Sequence, residues 1–391
     1  MDGTFESLGV AEDLVAVLAE KGITAPFPVQ SACIPDVLAG RDVCGKAKTG
    51  SGKTLAFGVP MVQRAKASRP LHPRALVLVP TRELASQVAE EIEPLAAARG
   101  LRTIATYGGA PIDKQIKALH HGVDFVVATP GRLIDLLERG DVNLSDVRVL
   151  TIDEADRMAD MGFLPQVQWI LRRMRDTRQT LLFSATLDGE VAHLVRAYMQ
   201  EPVRHEISED DRATVATMGH RFFLVHSMDK VKVTAAIARH ADKVLVFCRT
   251  KRGADRLAKD LRHEDVAAVA IHGDLRQNER ERSLSSFETG KRSVLVATDV
   301  AARGLDIQGV DIVLHYDPPE DHKNYLHRSG RTARAGKSGV AVTLMLWDQE
   351  LAIRRLQKQV GLDLPIVEVF SNDSRLEDIA AWEPSEGAVG S

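Results

Sequence analysis

In Val149-Leu150-Thr151-Ile152-Asp153-Glu154-Ala155-Asp156 an apolar run without polar alternation ends in three acidic side chains. Alternation marks a strand with one face in water, so its absence predicts a strand buried on both faces, as in a parallel sheet covered by helices. The same kind of run occurs at Ala75–Val79, Phe125–Ala128 and Thr180–Phe183, with helical patterns between. It starts again at Lys243–Phe247, Ala267–Ile271, Ser293–Val296, Asp311–Leu314 and Val340–Leu344. Two such series predict α/β architecture in two doubly wound parallel-sheet lobes, candidates for distant structural copies of one another.

A length of 391 residues agrees, because it exceeds what one hydrophobic core usually holds. Between the series, Ser208-Glu209-Asp210-Asp211-Arg212 breaks the apolar periodicity with clustered charge, so a short linker is expected at 206–219. The expected division is an N-terminal segment at 1–32, a first lobe at 33–205, a second lobe at 220–370 and an acidic, disordered tail at 371–391. The last twenty residues hold five acids against one base, Arg375, which is the reason for the tail.

Several classes are disfavoured by composition. With 44% hydrophobic and 27% charged residues the chain reads as soluble and globular, and no apolar run approaches the ~20 residues of a spanning helix. Met1-Asp2-Gly3-Thr4-Phe5-Glu6 shows neither a basic nor an apolar leader region, so a cytoplasmic location away from membranes is expected. Cys33, Cys44 and Cys248 form no CxxC pair and read as buried fillers, not disulfides or zinc ligands. The histidines, His272 and His315 among them, lack ligand partners at useful spacing and read as satisfied structural groups. A net charge of -3 leaves nucleic acid open as a partner, because it sums 51 basic and 54 acidic residues; it argues only against a purely electrostatic binder.

About a hundred residues before the acidic run, Ala47-Lys48-Thr49-Gly50-Ser51-Gly52-Lys53-Thr54 fits the phosphate-loop pattern GxxxxGK[ST], with Ala47 at the first glycine. Glycines let backbone amides curl around phosphate oxygens, Lys53 can neutralise the β and γ phosphates, Thr54 can hold magnesium, and a helix starting there presents its positive end. Acids after a strand, taken alone, also suit a helix N-terminal cap. Paired with the phosphate loop, Asp153 reads as the magnesium carboxylate acting through water, and Glu154 as the group that orients and deprotonates the attacking water.

Asp153-Glu154-Ala155-Asp156 spells DEAD, and from Phe5 to about residue 370 the chain resembles the DEAD-box ATP-dependent RNA helicases. The resemblance implies two RecA-like lobes, ATP and magnesium as cofactors, and RNA as partner. Gly22-Ile23-Thr24-Ala25-Pro26-Phe27-Pro28-Val29-Gln30 resembles the Q motif and implies that Gln30 reads adenine. Ile23 stands where the family commonly has the aromatic that stacks on the base, which implies an aliphatic face here; on the plainer alternative Gln30 caps the following helix. The wording of this segment resembles bacterial, RhlE-like members.

His327-Arg328-Ser329-Gly330-Arg331-Thr332-Ala333-Arg334 resembles motif VI, with Ser329 and Ala333 in place of isoleucine and glycine. Arg331 and Arg334 then correspond to arginine fingers that reach the γ-phosphate from the opposite lobe, and His327 and Arg328 to coupling residues. Ala297-Thr298-Asp299 through Asp306 resembles motif V, implying that Asp306 contacts the ribose and Thr298 the RNA. Ser184-Ala185-Thr186 resembles the SAT motif, whose hydroxyls bond the acidic tetrapeptide and link hydrolysis to strand separation, which implies that Ser184, Thr186 and Asp156 are coupling residues too.

Thr81 and Arg82, Gly108 and Gly109, and Thr129-Pro130-Gly131-Arg132 follow strand ends, where open α/β sheets bind ligands. They offer phosphate-contacting groups and no base-reading set, so sequence-independent backbone binding is expected. Gly108-Gly109 taken alone reads equally well as a turn. In the second lobe Arg249, Gly273, Gln277 and Arg280 resemble the RNA-contacting motifs IV and IVa. The implied function is a two-lobed motor, monomeric in its core, that closes on ATP and single-stranded RNA and separates short duplexes, with ribonucleoprotein or RNA-decay proteins as candidate partners. Two rivals stand beside it: an ATP-gated RNA clamp or assembly scaffold, and a DNA-directed relative.

Overall fold

The computed structural model describes residues 3–47, 51–207, 218–302, 307, 310–332 and 339–382. The chain forms two compact units, Met1–Ser208 and Glu209–Ser391. In the first, the strands are β1 (Val43–Lys46), β2 (Ala75–Leu78), β3 (Thr103–Thr106), β4 (Phe125–Ala128), β5 (Val149–Asp153), β6 (Gln179–Ser184) and β7 (Val203–Glu206), in the order β3-β4-β2-β5-β6-β1-β7. Every pairing is parallel.

The second unit holds β8 (Gly219–Leu224), β9 (Val244–Cys248), β10 (Ala268–Ile271), β11 (Val294–Thr298), β12 (Ile312–His315), β13 (Val340–Met345) and β14 (Ile366–Glu368). Its order is β10-β11-β9-β12-β13-β8-β14, again parallel throughout. Adding seven to each strand number of the first sheet gives the second, so the two units share one topology, that of a RecA-like lobe.

The missing alternation in the sequence now has its physical reason. Val77 of β2 packs into the core on one face with Phe57, Val88 and Ile92, whereas Leu76 and Leu78 pack on the other face with Leu133, Met158 and Ile170. In the second unit Val244, Val246 and Cys248 of β9 face one core and Leu245 and Phe247 the other. Both faces are dry, so both sets of side chains are apolar. The three cysteines are buried, and desolvation pushes the thiols of Cys33 and Cys44 up to about 12 and about 11, so none is poised as a thiolate.

Five strands escape a reading by apolar runs: β1, β3, β7, β8 and β14. β1 contains Gly45 and Lys46, and β7 alternates half-buried and exposed residues as an edge strand should. Several expected boundaries also move. The cut at residue 32 falls inside the helix Pro28–Leu38, whose Val29, Cys33, Ile34 and Val37 share a core with Val43 and Phe57. Residues 1–32 are therefore not a separate segment. Glu206 belongs to β7 and Gly219 to β8, which narrows the linker; its residues 208–217 lie outside the described residues.

The expected tail at 371–391 is structured through Trp382. The Ser371 hydroxyl and amide donate to Asp229, Leu376 and Ile379 are buried in the core, and Trp382 packs on Phe223 with ring centroids 5.6 Å apart. Acidic composition misled there because a few apolar side chains at helical spacing carry the packing. Residues 383–391 lie outside the described residues.

Candidate functional site

β1 delivers the phosphate loop and β5 the carboxylates, at the same end of one sheet because all strands run parallel. Ala47 is held by its amide donating to the Ser184 carbonyl at the end of β6, 3.0 Å. Lys48, Thr49 and Gly50 lie outside the described residues; Ser51 and Gly52 lead into the helix Lys53–Arg64. Gly52 caps that helix at φ +85°, and a β-carbon there would stand 2.5 Å from the Gln30 amide nitrogen and 2.7 Å from the Phe27 ring. Only glycine satisfies both the left-handed backbone and the lack of room.

Gln30 is wholly buried and its side chain works twice. Its oxygen accepts from the Phe27 amide, capping the helix Pro28–Leu38, and its Nε2 donates to the Gly52 carbonyl at 3.0 Å. The capping alternative is thus real and is combined with a tie to the phosphate loop. Ile23 is half-buried against the core, while Phe27 beside Gly52 is 56% exposed.

Asp153 and Glu154 are each 3% exposed. Lys53 Nζ lies 3.8 Å from Asp153 Oδ1, and the Glu154 amide donates to the same carboxylate at 2.9 Å. Glu154 itself sits at φ +53°, a conformation that costs a residue with a β-carbon on the order of 1–2 kcal/mol. Arg157, one turn along, donates from Nη1 to Glu154 Oε2 at 2.7 Å, both groups being buried. Sequence reading missed Arg157, although its i,i+3 spacing from an acid was the available signal.

Burial pushes the Asp153 carboxyl up to about 6 from 3.8; Lys53 opposes the rise and Glu154 adds to it. A raised carboxyl contributes stability in its protonated form, fully present below pH 3.8 and lost as pH rises through about 6. At neutral pH the ionised group therefore burdens the ligand-free unit, by on the order of 3 kcal/mol for a shift of about two units. We expect Asp153→Asn to raise the ligand-free melting temperature by several degrees at pH 7.5 and by little at pH 4.5. Thermal melts at the two pH values check this, and no gain at pH 7.5 would refute it.

That electrostatic debt suits a cation. Among the described residues no group of three or more His, Cys, Asp or Glu could hold a metal alone. Asp153 and the half-buried Thr54 offer hard oxygen donors, which matches magnesium, usually held by one or two carboxylates with substrate phosphates and water.

Asp156 and the SAT segment are joined reciprocally. The Asp156 amide donates to the Ser184 hydroxyl at 3.1 Å, and the Ala185 amide donates to Asp156 Oδ2 at 3.2 Å. Ser184 carries the link at the tip of β6; the Thr186 hydroxyl makes no such bond among the described residues.

The expected RNA loops of this unit converge. Arg82 lies against Gly109, at φ +89°, and neighbours Arg132 closely enough to influence its charge. Desolvation, with a smaller push from Arg82, lowers the proton affinity of Arg132, whose Nη1 donates to Gln115 at 2.9 Å. Thr81 is buried, and its hydroxyl accepts from Leu84 as a helix cap; Pro130 is buried at the start of the helix Pro130–Arg139, Gly131 is exposed and Thr129 half-buried.

In the second unit Arg249 is exposed at the end of β9, with its amide donating to Asp317 at 2.7 Å. Gly273 is exposed, Gln277 donates to Glu281, Arg280 Nη1 donates to the His272 carbonyl, and Thr298 is 5% exposed. Arg328 is buried and forks onto Asp299, Nε and Nη2 each donating at 2.6 Å, while Nη1 donates to the Asp317 carbonyl. It thereby ties the end of β11 to the segment after β12. His327 is exposed and Arg331 is 5% exposed; Arg334 and Asp306 lie outside the described residues. The histidines are less fully satisfied than expected: Nδ1 of His272 and Nε2 of His315 are buried without a partner.

Residues 27–194 match the family description DEAD/DEAH box helicase, and residues 229–336 match Helicase conserved C-terminal domain. The chain is 43% identical over 379 residues to DEAD-box ATP-dependent RNA helicase 9 of Oryza sativa subsp. japonica, covering 94% of this chain and 60% of that protein. It thus spans about six tenths of the length of that curated relative. Among solved structures it resembles a DEAD box protein from the hyperthermophile Methanococcus jannaschii, with 34% identity, TM-score 0.54, 94% of this chain and all of that one covered. It also resembles Dbp5 of S. cerevisiae bound to RNA and ADP BeF3, with 28% identity, TM-score 0.84, 96% of this chain and 98% of that one covered.

Proposed function

This chain belongs to the DEAD-box helicase family, and we propose that it is an RNA-dependent ATPase that separates short RNA duplexes. The observation that carries the reading is the joint placement of Gln30, Gly52, Lys53, Asp153 and Glu154 at one end of a parallel sheet, with Asp156 bonded to the Ser184 segment. In this reading Ala47 through Thr54 cradle the phosphates, Lys53 neutralises them, and Gln30 and Ile23 meet adenine. Asp153 and Thr54 would hold magnesium, which would supply positive charge against that of the phosphates. Glu154 orients the attacking water and takes its proton, with Arg157 fixing one of its oxygens.

Arg331 and Arg334 approach the γ-phosphate on closure of the two units, and Asp306 the ribose. Asp156, Ser184, Thr186, His327 and Arg328 transmit the event. RNA is gripped through its backbone by Thr81, Arg82, Gly108, Gly109, Thr129, Pro130, Gly131 and Arg132 in the first unit, and by Arg249, Gly273, Gln277, Arg280 and Thr298 in the second. A cytoplasmic location accords with three buried, unpaired cysteines; among the described residues no helix is long and apolar enough to cross a membrane.

Because ATP and RNA would each favour the same closed state, each should tighten the other. ATP turnover, which would require that closed state, is expected to rise at least tenfold with single-stranded RNA, a barrier lower by about 1.4 kcal/mol. Equal turnover with and without RNA across a salt series would overturn the reading. A short-duplex displacement assay run beside a dwell-time measurement separates the motor from a clamp: long dwell without displacement favours the clamp.

A further inference from the structure

The helix His322–Ser329 carries Arg328 in its last turn and leads directly to Arg331. Polar side chains hold it to the sheet. Tyr325 is fully buried and its hydroxyl is hydrogen-bonded to Nδ1 of His220 on β8 at 2.7 Å. Its ring stands edge-on to His315 of β12, centroids 5.1 Å apart, and stacks with Phe222 of β8 at 6.2 Å. His315 Nδ1 lies 3.0 Å from the Thr343 hydroxyl on β13. β12, β13 and β8 are consecutive in the sheet, so the helix is held by β8 and β12, and β13 between them braces His315. Ser329, the buried hydroxyl one turn on, lies in the same surroundings.

His315 and Tyr325 are uncharged. Desolvation holds His315 well below its ordinary value, with Arg328 and His220 acting in the same sense, and burial pushes the Tyr325 hydroxyl up. Neutral bonds of this kind add modest net stability, and His315 Nε2 is buried without a partner, which subtracts from it. Apolar side chains of similar volume would stabilise the unit as well. Direction is what the polar set supplies: a bond at 2.7 Å tolerates only a few tenths of an ångström of drift, whereas a slip of one residue along a helix is about 1.5 Å. The Arg328 fork on Asp299 could not survive such a slip.

We propose that the His220–Tyr325 hydrogen bond, seated on His315 and Thr343, is a positioning device: it sets the rotation and register of the helix His322–Ser329 and thereby holds Arg328 on Asp299 and Arg331 where ATP turnover uses it. His220 and Tyr325 touch no reacting atom and act through the two arginines. The part concerning turnover rests on the function proposed above.

Tyr325→Phe keeps the ring and removes the hydroxyl. RNA-stimulated kcat should fall roughly ten- to a hundredfold, the scale of an ångström-level misplacement, with KM for ATP and RNA affinity within about twofold. Hydrogen exchange should quicken over 322–332 and not elsewhere in the second unit. His220→Gln, which retains a bonding partner, should keep most activity; His220→Leu should match Tyr325→Phe, and the double variant should be no worse than either single one. Wild-type kcat in Tyr325→Phe, or additive losses with faster exchange spread over the whole unit, overturns the proposal. Should the unaltered protein show no RNA-stimulated turnover, the earlier reading fails. Exchange then decides alone: quickening confined to 322–332 upholds the positioning role, and its absence ends it.

Discussion

Glu154→Gln is expected to cut ATP turnover by about 10²- to 10⁴-fold while ATP and RNA stay bound. The amide occupies the space of the carboxylate, and its oxygen can still accept from Arg157, so the buried guanidinium now 2.7 Å from Glu154 keeps a partner. Asp153 and Lys53, the other polar groups of the site, are untouched. What disappears is the base: an amide cannot take the proton of the attacking water. Since hydrolysis would end the closed state, the variant should accumulate on RNA in ATP and come off in its absence. Single-turnover hydrolysis measured beside filter binding checks both halves. Ready RNA release in ATP would remove Glu154 from its role, whatever the rate.

Arg331→Ala should cost more, about 10³- to 10⁵-fold in turnover, the range of an arginine that meets transferring phosphate. Arg331→Lys should fall nearly as far, because an ammonium keeps the charge and loses the planar fork. RNA affinity without nucleotide should be unchanged in both. Arg328→Ala offers the contrast within the same segment: Arg328 is committed to Asp299 and the Asp317 carbonyl inside its own unit. Its loss leaves Asp299 without its fork, so activity and melting temperature should drop together. Stopped-flow phosphate release with thermal melts distinguishes the pair. A residual turnover above a tenth in Arg331→Ala would show that the residue serves structure alone.

Much of this architecture was legible along the chain. The unalternated runs at 75–79, 125–128, 149–152 and 180–183 became four central strands, and the second series became four more and the edge strand β10. Burial on both faces erases alternation, which makes strands of that kind easy to recognise; among the edge strands β10 carries the mark, while β3, β7 and β14 do not. β7 and β14, at the edges, and β1, with Gly45 and Lys46, carry no such mark. The boundaries at 32 and 371 were misplaced for a related reason. Whether Val29 or Leu376 joins a core depends on what packs against it, and composition over a window does not report that.

The site divides in the same way. Residue types and spacing in Ala47–Thr54 and Asp153–Asp156 by themselves make phosphate and a divalent cation the expected ligands, because glycine, lysine, threonine and paired carboxylates have few other uses in that pattern. The strand ahead of the acids likewise determines which end of a sheet they occupy. Tertiary structure alone decided which partners those groups face: Gln30 on the Gly52 carbonyl, Arg157 on Glu154, Ser184 on Asp156, and Tyr325 on His220 105 residues away. Local chemistry is written residue by residue. A hydrogen bond across a sheet depends on strand order and register, and those are set by the burial of two whole faces at once.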